Sequence, residues 1–200
     1  KLLTLPCVLA NCESDGERVA SYIPDDELGQ YTAVRALLAE GYQQPLCLHL
    51  PAGHLATTRR RQGLERACLE AGIDPDSLEH NYMAPGDEHY RDIPSVLLAR
   101  IQNGVPRFDA VICGNDRIAL MVYQTLLAQG LRIPEDVAVI GYDNMVGIGE
   151  LFLPPLSTVQ LPHYEIGRLS ALHIINGEQH LETTRVESPY LKRDSVAHAS

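Results

Sequence analysis

The chain has 200 residues, 45% of them apolar, and a formal net charge of -10. That length allows one large domain or two small lobes around a real core, and no apolar run is long enough to span a bilayer, so a soluble protein without a membrane partner is expected. The acidity would repel a phosphate backbone, which excludes these residues alone as a good DNA binder and leaves any nucleic-acid role to a separate basic module.

Lys1 leads almost directly into the apolar run of residues 2–10, with no initiator Met and no signal peptide, so the sequence reads as a fragment entered mid-fold. Within that run, residues 6–10 read as a buried strand. Asp25 or Asp26 is placed to cap a helix through Tyr31, Val34, Leu37 and Leu38 that ends at Gly41. Residues 46–50 form a short strand. Thr57 or Thr58 then starts a helix with Leu64, Ala67, Cys68 and Ala71 on one face and Gly72 at its end. Residues 78–83 read as a weaker strand, and a helix is expected over residues 90–103, its start limited by Pro94.

The second half is more sharply punctuated. Residues 108–113 are a strand, and Gly114-Asn115-Asp116 is a turn and cap. Ile118, Met121, Val122, Thr125 and Leu126 repeat at helical spacing up to Gly130. Residues 137–141 and 156–161 are further strands. A helix over residues 164–175 stops at Asn176-Gly177, and residues 184–194 have strand character. Strand–helix alternation of this kind gives parallel sheets covered by helices, an α/β fold whose ligands bind beyond the carboxyl ends of the strands. That rule points to Asn11, to Gly114-Asn115-Asp116 and to Gly141-Tyr142-Asp143-Asn144.

Each candidate has a bland counterpart. Asp116 reads as a structural N-cap, whereas Asn115 is balanced between structure and a donor–acceptor contact to a ligand hydroxyl. Asp143 could accept hydrogen bonds from adjacent hydroxyls, or could merely form an Asx-turn. Arg59-Arg60-Arg61 opposes the helix dipole if it lies in a first turn, so at least one of the three should answer to a ligand or an ion pair, and the other two to solvent. The five cysteines, Cys7, Cys12, Cys47, Cys68 and Cys113, are odd in number and lack C-x-x-C spacing. They read as buried, reduced thiols of a cytoplasmic protein. The eight histidines, including His49, His163 and His173, do not fall at metal-ligand spacing with carboxylates, so packing and surface roles are expected, with no metal and no cofactor. Nucleophile, phosphate-loop and dinucleotide motifs are lacking, which argues against an enzyme.

Taken together, FDAVICGNDRIAL (108–120), GLRIPEDVAVIGYDN (130–144) and LPPLSTVQLP (153–162) resemble, in order and spacing, three hallmark stretches of the LacI/GalR family of bacterial transcription regulators. LPCVLAN (5–11), RRQGLERACLEA (60–71) and YLKRDS (190–195) support the resemblance, which covers nearly the whole chain. It implies a periplasmic-binding-protein-like fold of two doubly wound parallel-sheet lobes. Residues 1–24 and 161–180 would be part of the N-terminal, DNA-proximal lobe. Residues 25–160 and 181–200 would form a complete C-terminal lobe, and the DNA-binding head would be absent. The implied function is that of a repressor's sensor, a homodimer that binds a small-molecule effector, a sugar, in the interlobe cleft and thereby modulates operator DNA binding. By position, the resemblance carries effector contacts onto Asn11, Arg60, Asn115 and Asp143, with Pro24 and Phe152 as apolar walls. Here Leu161 stands where the family favours a glutamine, and Thr58 where a second arginine is common. The alternative is the sugar-binding protein of an ABC transporter, which would share the fold.

Overall fold

The computed structural model describes residues 5–16, 18–86 and 89–197; Lys1–Thr4, which open the first apolar run, lie outside the described residues. In chain order the elements are β1 (Val8–Ala10), β2 (Ala20–Pro24), α1 (Asp26–Ala39), β3 (Pro45–His49), α2 (Leu55–Glu70), β4 (Glu79–Tyr82) and α3 (Ile93–Leu98). They continue as β5 (Ile101–Gln102), β6 (Val105–Pro106), β7 (Ala110–Cys113), α4 (Asp116–Ala128), β8 (Ala138–Asp143), β9 (Ser157–Gln160), α5 (His163–Ile175), β10 (Thr183–Val186) and β11 (Tyr190–Leu191). The chain divides into two compact units, one of Lys1–Asp25 with Leu161–Ser188, the other of Asp26–Gln160 with Pro189–Ser200.

The smaller unit holds a parallel three-stranded sheet in the order β1-β2-β10. Helix α5 packs on β1 and β2. Tyr22, Ile166 and Val186 form its buried apolar cluster, with Val8 and Leu169 against it. β1 is less buried than its apolar sequence suggests: Val8 and Leu9 are half-buried and Ala10 is exposed, as befits an edge strand. Residues 181–188, expected in the larger unit, belong to the smaller one, because β10 pairs with β2 in the register Thr184↔Tyr22. The strand character of residues 184–194 is thus split, since β11 pairs antiparallel with β9 in the larger unit.

The larger unit is built on a six-stranded sheet, β11-β9-β8-β7-β3-β4, parallel except for β11. Strands buried on both faces need continuous apolar runs rather than alternation, and β3, β7 and β8 have them. Leu46, Leu48, Val111, Cys113 and Val139 pack with Ile93, Leu97, Ile118, Val122 and Leu126 of α3 and α4. Cys47, one residue out of phase with Leu46 and Leu48, lies instead beside Cys68 of α2. Helices α1 and α2 pack on each other so tightly that a Cβ on Gly63 would stand 2.1 Å from the Glu27 carbonyl oxygen.

Three local expectations are corrected. The helix over residues 90–103 shrinks to α3, and β5 and β6 form a hairpin through Asn103 (φ 52°) and Gly104 (φ 77°). Asn-Gly with both φ positive is the favoured two-residue hairpin turn, and that signal outweighs the apolar periodicity. Helix α2 starts at Leu55, before Thr57, so Arg60 lies in its second turn, where the helix dipole has little hold. Of the five thiols only Cys47, Cys68 and Cys113 are buried; Cys7 and Cys12, on either side of the edge strand, are exposed.

Candidate functional site

The larger sheet reverses its strand order between β3 and β7, the point at which open α/β sheets bind ligands beyond the carboxyl ends of their strands. Gly114 closes β7 at this point. Its N–H donates to the Leu48 carbonyl at 2.7 Å, and a Cβ at Gly114 would stand 2.8 Å from the Leu50 nitrogen, so only glycine brings the two strand ends this close. The Gly114 carbonyl in turn accepts Arg60 Nη1 at 2.7 Å. Arg60 Nε donates to Asp26 Oδ1 at 2.8 Å, and the guanidinium carbon stands 3.6 Å from the centre of the Tyr142 ring. One buried arginine thus ties together α1, α2, the β7 turn and β8.

The cap position falls to Asn115 rather than to Asp116, and Asp116 is structural in a different way. Asn115 is the N-cap of α4: its Oδ1 accepts the Ile118 N–H at 2.9 Å, while Nδ2 donates to the Tyr90 hydroxyl at 3.0 Å. Its backbone is extended, which turns its side chain back over the first turn of the helix. Asp116 lies one residue inside the helix and is almost wholly buried. Its Oδ1 accepts from the Thr158 hydroxyl at 2.7 Å and its Oδ2 from the Met145 N–H at 2.9 Å, so it fastens α4 to β9 and to the loop after β8. Gly141 makes room for it, since a Cβ there would stand 2.3 Å from Asp116 Oδ1. Burial raises the Asp116 carboxyl above its ordinary range, against the pull of these hydrogen bonds.

Asp143 ends β8 with φ 115°, and Asn144 follows at φ 49°. Two consecutive left-handed non-glycine residues are strained, and the surroundings hold them: Asn144 Oδ1 accepts from Arg193 Nη2 at 2.9 Å, and Arg193 Nη1 donates to the Leu156 carbonyl at 2.7 Å. The Asp143 carboxyl is pushed up to about 7. Burial is the main cause; Asp116 and Asp26 add to it, and the Arg60 and Arg117 guanidinium groups oppose it.

Of the residues singled out in the sequence, Arg60, Asn115 and Asp143 stand at these neighbouring strand ends in the larger unit. Asn11 and Pro24 belong to the smaller unit, where Asn11 (φ 61°) donates its N–H to the Tyr22 carbonyl and Pro24 ends β2 opposite Val186. Phe152 is 7% exposed and packs edge-on against Tyr123 in the core, with ring centres 4.8 Å apart, so little of it remains for a ligand. Arg61 is not a solvated cation: it pairs with Glu65 and Asp76. Sequence reasoning missed Asp26 as the partner of Arg60, Tyr90 as the partner of Asn115, and Arg193. A cavity of about 440 Å³ at the opposite, amino ends of the strands, lined by Leu78, Arg100, Arg107 and Phe108, shares no residue with this cluster.

Among the described residues two groups of potential metal ligands also form, contrary to the spacing argument: Cys47–His49–His80 in the larger unit and His173–Glu178–His180 in the smaller. Parallel pairing brings His80 level with Cys47, and the turn after α5 folds Glu178 and His180 back onto His173, neither of which linear spacing reveals.

A family model described as the periplasmic binding proteins and sugar binding domain of the LacI family matches residues 1–194. The chain belongs to this family. The sucrose operon repressor of Escherichia coli is 55% identical over 189 residues, which are 94% of this chain and 57% of that protein. The chain therefore spans little more than half the length of this curated relative. The structure of a putative LacI-family transcriptional regulator from Rhizobium etli superposes with a TM-score of 0.85 at 28% identity, covering 98% of this chain and 72% of that one. A LacI-family regulator from Enterococcus faecium, solved with bound ribose, gives 0.81 at 28% identity over 98% of this chain and 72% of its own. The fold is accordingly that of LacI-family effector domains, an α/β periplasmic-binding-protein-like architecture. No helix among the described residues is long and apolar enough to cross a membrane.

Proposed function

We propose that this chain is the effector-sensing part of a LacI-type transcriptional repressor and that its effector is a sugar, with sucrose or one of its monosaccharide units as the first candidate. The observation that carries the reading is the polar group at the β3/β7 switch point, Arg60, Asn115 and Asp143, in a chain 55% identical to a sucrose operon repressor. A polyhydroxylated ring needs donors and acceptors in one place, and an arginine fork, a carboxylate and an amide supply both. Asn11 and Pro24 are kept in the proposed contact set on the family resemblance alone. Binding would alter operator affinity through a head outside these residues, in a homodimer, by favouring one arrangement of the protein over another.

Isothermal titration and thermal melts of the chain with sucrose, fructose, glucose and ribose test the reading, because a ligand that binds only the folded state raises the melting temperature. The expected result is saturable binding of one sugar, lost in Asp143→Ala and in Arg60→Ala. Binding of none of them, or binding undiminished in both variants, overturns it.

A further inference from the structure

We infer that the smaller unit carries a divalent transition-metal site, zinc first, built from His173 Nδ1, His180 Nε2, Glu178 Oε2 and the Tyr22 hydroxyl. Tyr22 OH stands 3.2 Å from His173 Nδ1 and 3.4 Å from His180 Nε2. Glu178 Oε2 stands 3.1 Å from His180 Nε2 and 3.7 Å from His173 Nδ1. Zinc takes nitrogen and oxygen ligands at about 2.0–2.1 Å in tetrahedral geometry, which places neighbouring ligand atoms about 3.3 Å apart. The four distances straddle that value, as contacts between neighbouring ligands of one ion should.

The inventory of lone pairs points the same way. In the metal-free protein only protons stand between these atoms: the Tyr22 hydroxyl donates to His173 Nδ1, and His180 Nε2–H donates to the Glu178 carboxylate. A cation satisfies all four together and releases protons on binding. Two imidazoles, a carboxylate and a phenol, with no thiolate, form a donor set suited to zinc and its neighbours in the first transition row. Access and rigidity are both provided. His173 and Tyr22 are buried, held by α5 and by the apolar cluster of Tyr22 with Ile166 and Val186. Glu178 and His180 are 38% exposed, so an ion can enter from solvent. The Asn176-Gly177 turn, with Gly177 at φ 64°, brings them back over the last turn of α5. Once bound, the ion would clip that helix end and the 178–180 loop to the middle of β2, the central strand of the sheet.

The Cys47–His49–His80 group does not meet the same conditions. His80 Nε2 is 2.9 Å from the Pro75 carbonyl and must carry its proton there, so Nδ1 accepts from His49 Nε2 at 2.8 Å, and the nitrogen pair is complete as a hydrogen bond. Arg61 adds a positive charge beside both rings.

Zinc chloride titrated into the chain against a chromophoric chelator, with melting curves and a Co²⁺ spectrum, is the test. Expected are one equivalent bound, a higher melting temperature, and the d–d bands of four-coordinate cobalt without a thiolate charge-transfer band. His180→Ala and Glu178→Gln, both at exposed positions, should weaken binding by at least roughly tenfold, since even partners outside the coordination shell cost that much. No zinc retained by the native chain overturns the inference. So does zinc bound equally by His180→Ala, and so does a thiolate-to-cobalt band, which would move the ion to a cysteine.

Discussion

Arg60 Nε lies 2.8 Å from Asp26 Oδ1, with both side chains less than a tenth exposed. A buried pair contributes little beyond the cost of its own desolvation, but removing one partner strands the other charge. Asp26→Ala should therefore destabilise the chain by about 3–5 kcal/mol, whereas the double variant Asp26→Leu/Arg60→Met, which removes both charges, should recover most of that. Urea unfolding of the three proteins measures the difference; equal losses in single and double variants would mean that the pair is held by packing rather than charge.

The Asp143 carboxyl, at about 7, gives the protein a pH signature. Its folded value lies above the ordinary 3.8, so the folded state holds a proton that the unfolded chain has already released. The stability this proton confers is present at low pH and is lost as pH rises from about 4 to about 7, after which the curve is flat. Ligand binding should run the other way. A hydroxyl that donates to Asp143 favours the carboxylate, so affinity for the effector should increase between about pH 6 and about pH 8. Melting curves between about pH 4 and 7 and titrations between about pH 6 and 8 test the two slopes, and Asp143→Asn should flatten both.

Gly63→Ala separates helix propensity from packing. In an exposed helix interior the change would gain up to about 1 kcal/mol. Here the new Cβ would meet the backbone of α1, 2.1 Å from the Glu27 oxygen and 2.8 Å from the Tyr31 nitrogen, so a loss of about 1–3 kcal/mol is expected instead. Because Asp26 opens α1 and Arg60 lies on α2, pushing the helices apart also stretches their ion pair. Sugar affinity should fall with stability, as calorimetry and urea unfolding of the one variant would show.

Much of this was legible in the sequence because it is local. The strand-then-turn stretches ending in Gly114-Asn115-Asp116 and Gly141-Tyr142-Asp143-Asn144 mark by position alone two of the three contacts proposed in the larger unit, Asn115 and Asp143, but not Arg60 of α2. What was not legible depends on partners far apart in the chain. Asp26 is 34 residues from Arg60, and Tyr22 is 151 residues from His173, so no spacing rule connects them. The β5–β6 hairpin was hidden for the opposite reason: apolar residues Leu97 and Ile101 continue a helical period into the first strand of a hairpin whose turn is set by Asn103-Gly104.

Asn115 offers the sharpest separation of structure from recognition, because both ends of its amide are already engaged, Oδ1 with Ile118 N–H and Nδ2 with the Tyr90 hydroxyl. Asn115→Ala loses the N-cap and should cost about 1 kcal/mol of stability. Asn115→Asp keeps an oxygen to accept the Ile118 N–H, and a carboxylate at a helix N-terminus is favoured, so unfolding should change little. It nevertheless removes the only donor of the side chain and adds a third carboxylate near Asp116 and Asp143. If the amide donates to the sugar, Asn115→Asp should bind it at least about tenfold more weakly while remaining as stable as the native chain. If affinity follows stability in both variants, Asn115 is only a cap, and the recognition set in the larger unit reduces to Arg60 and Asp143.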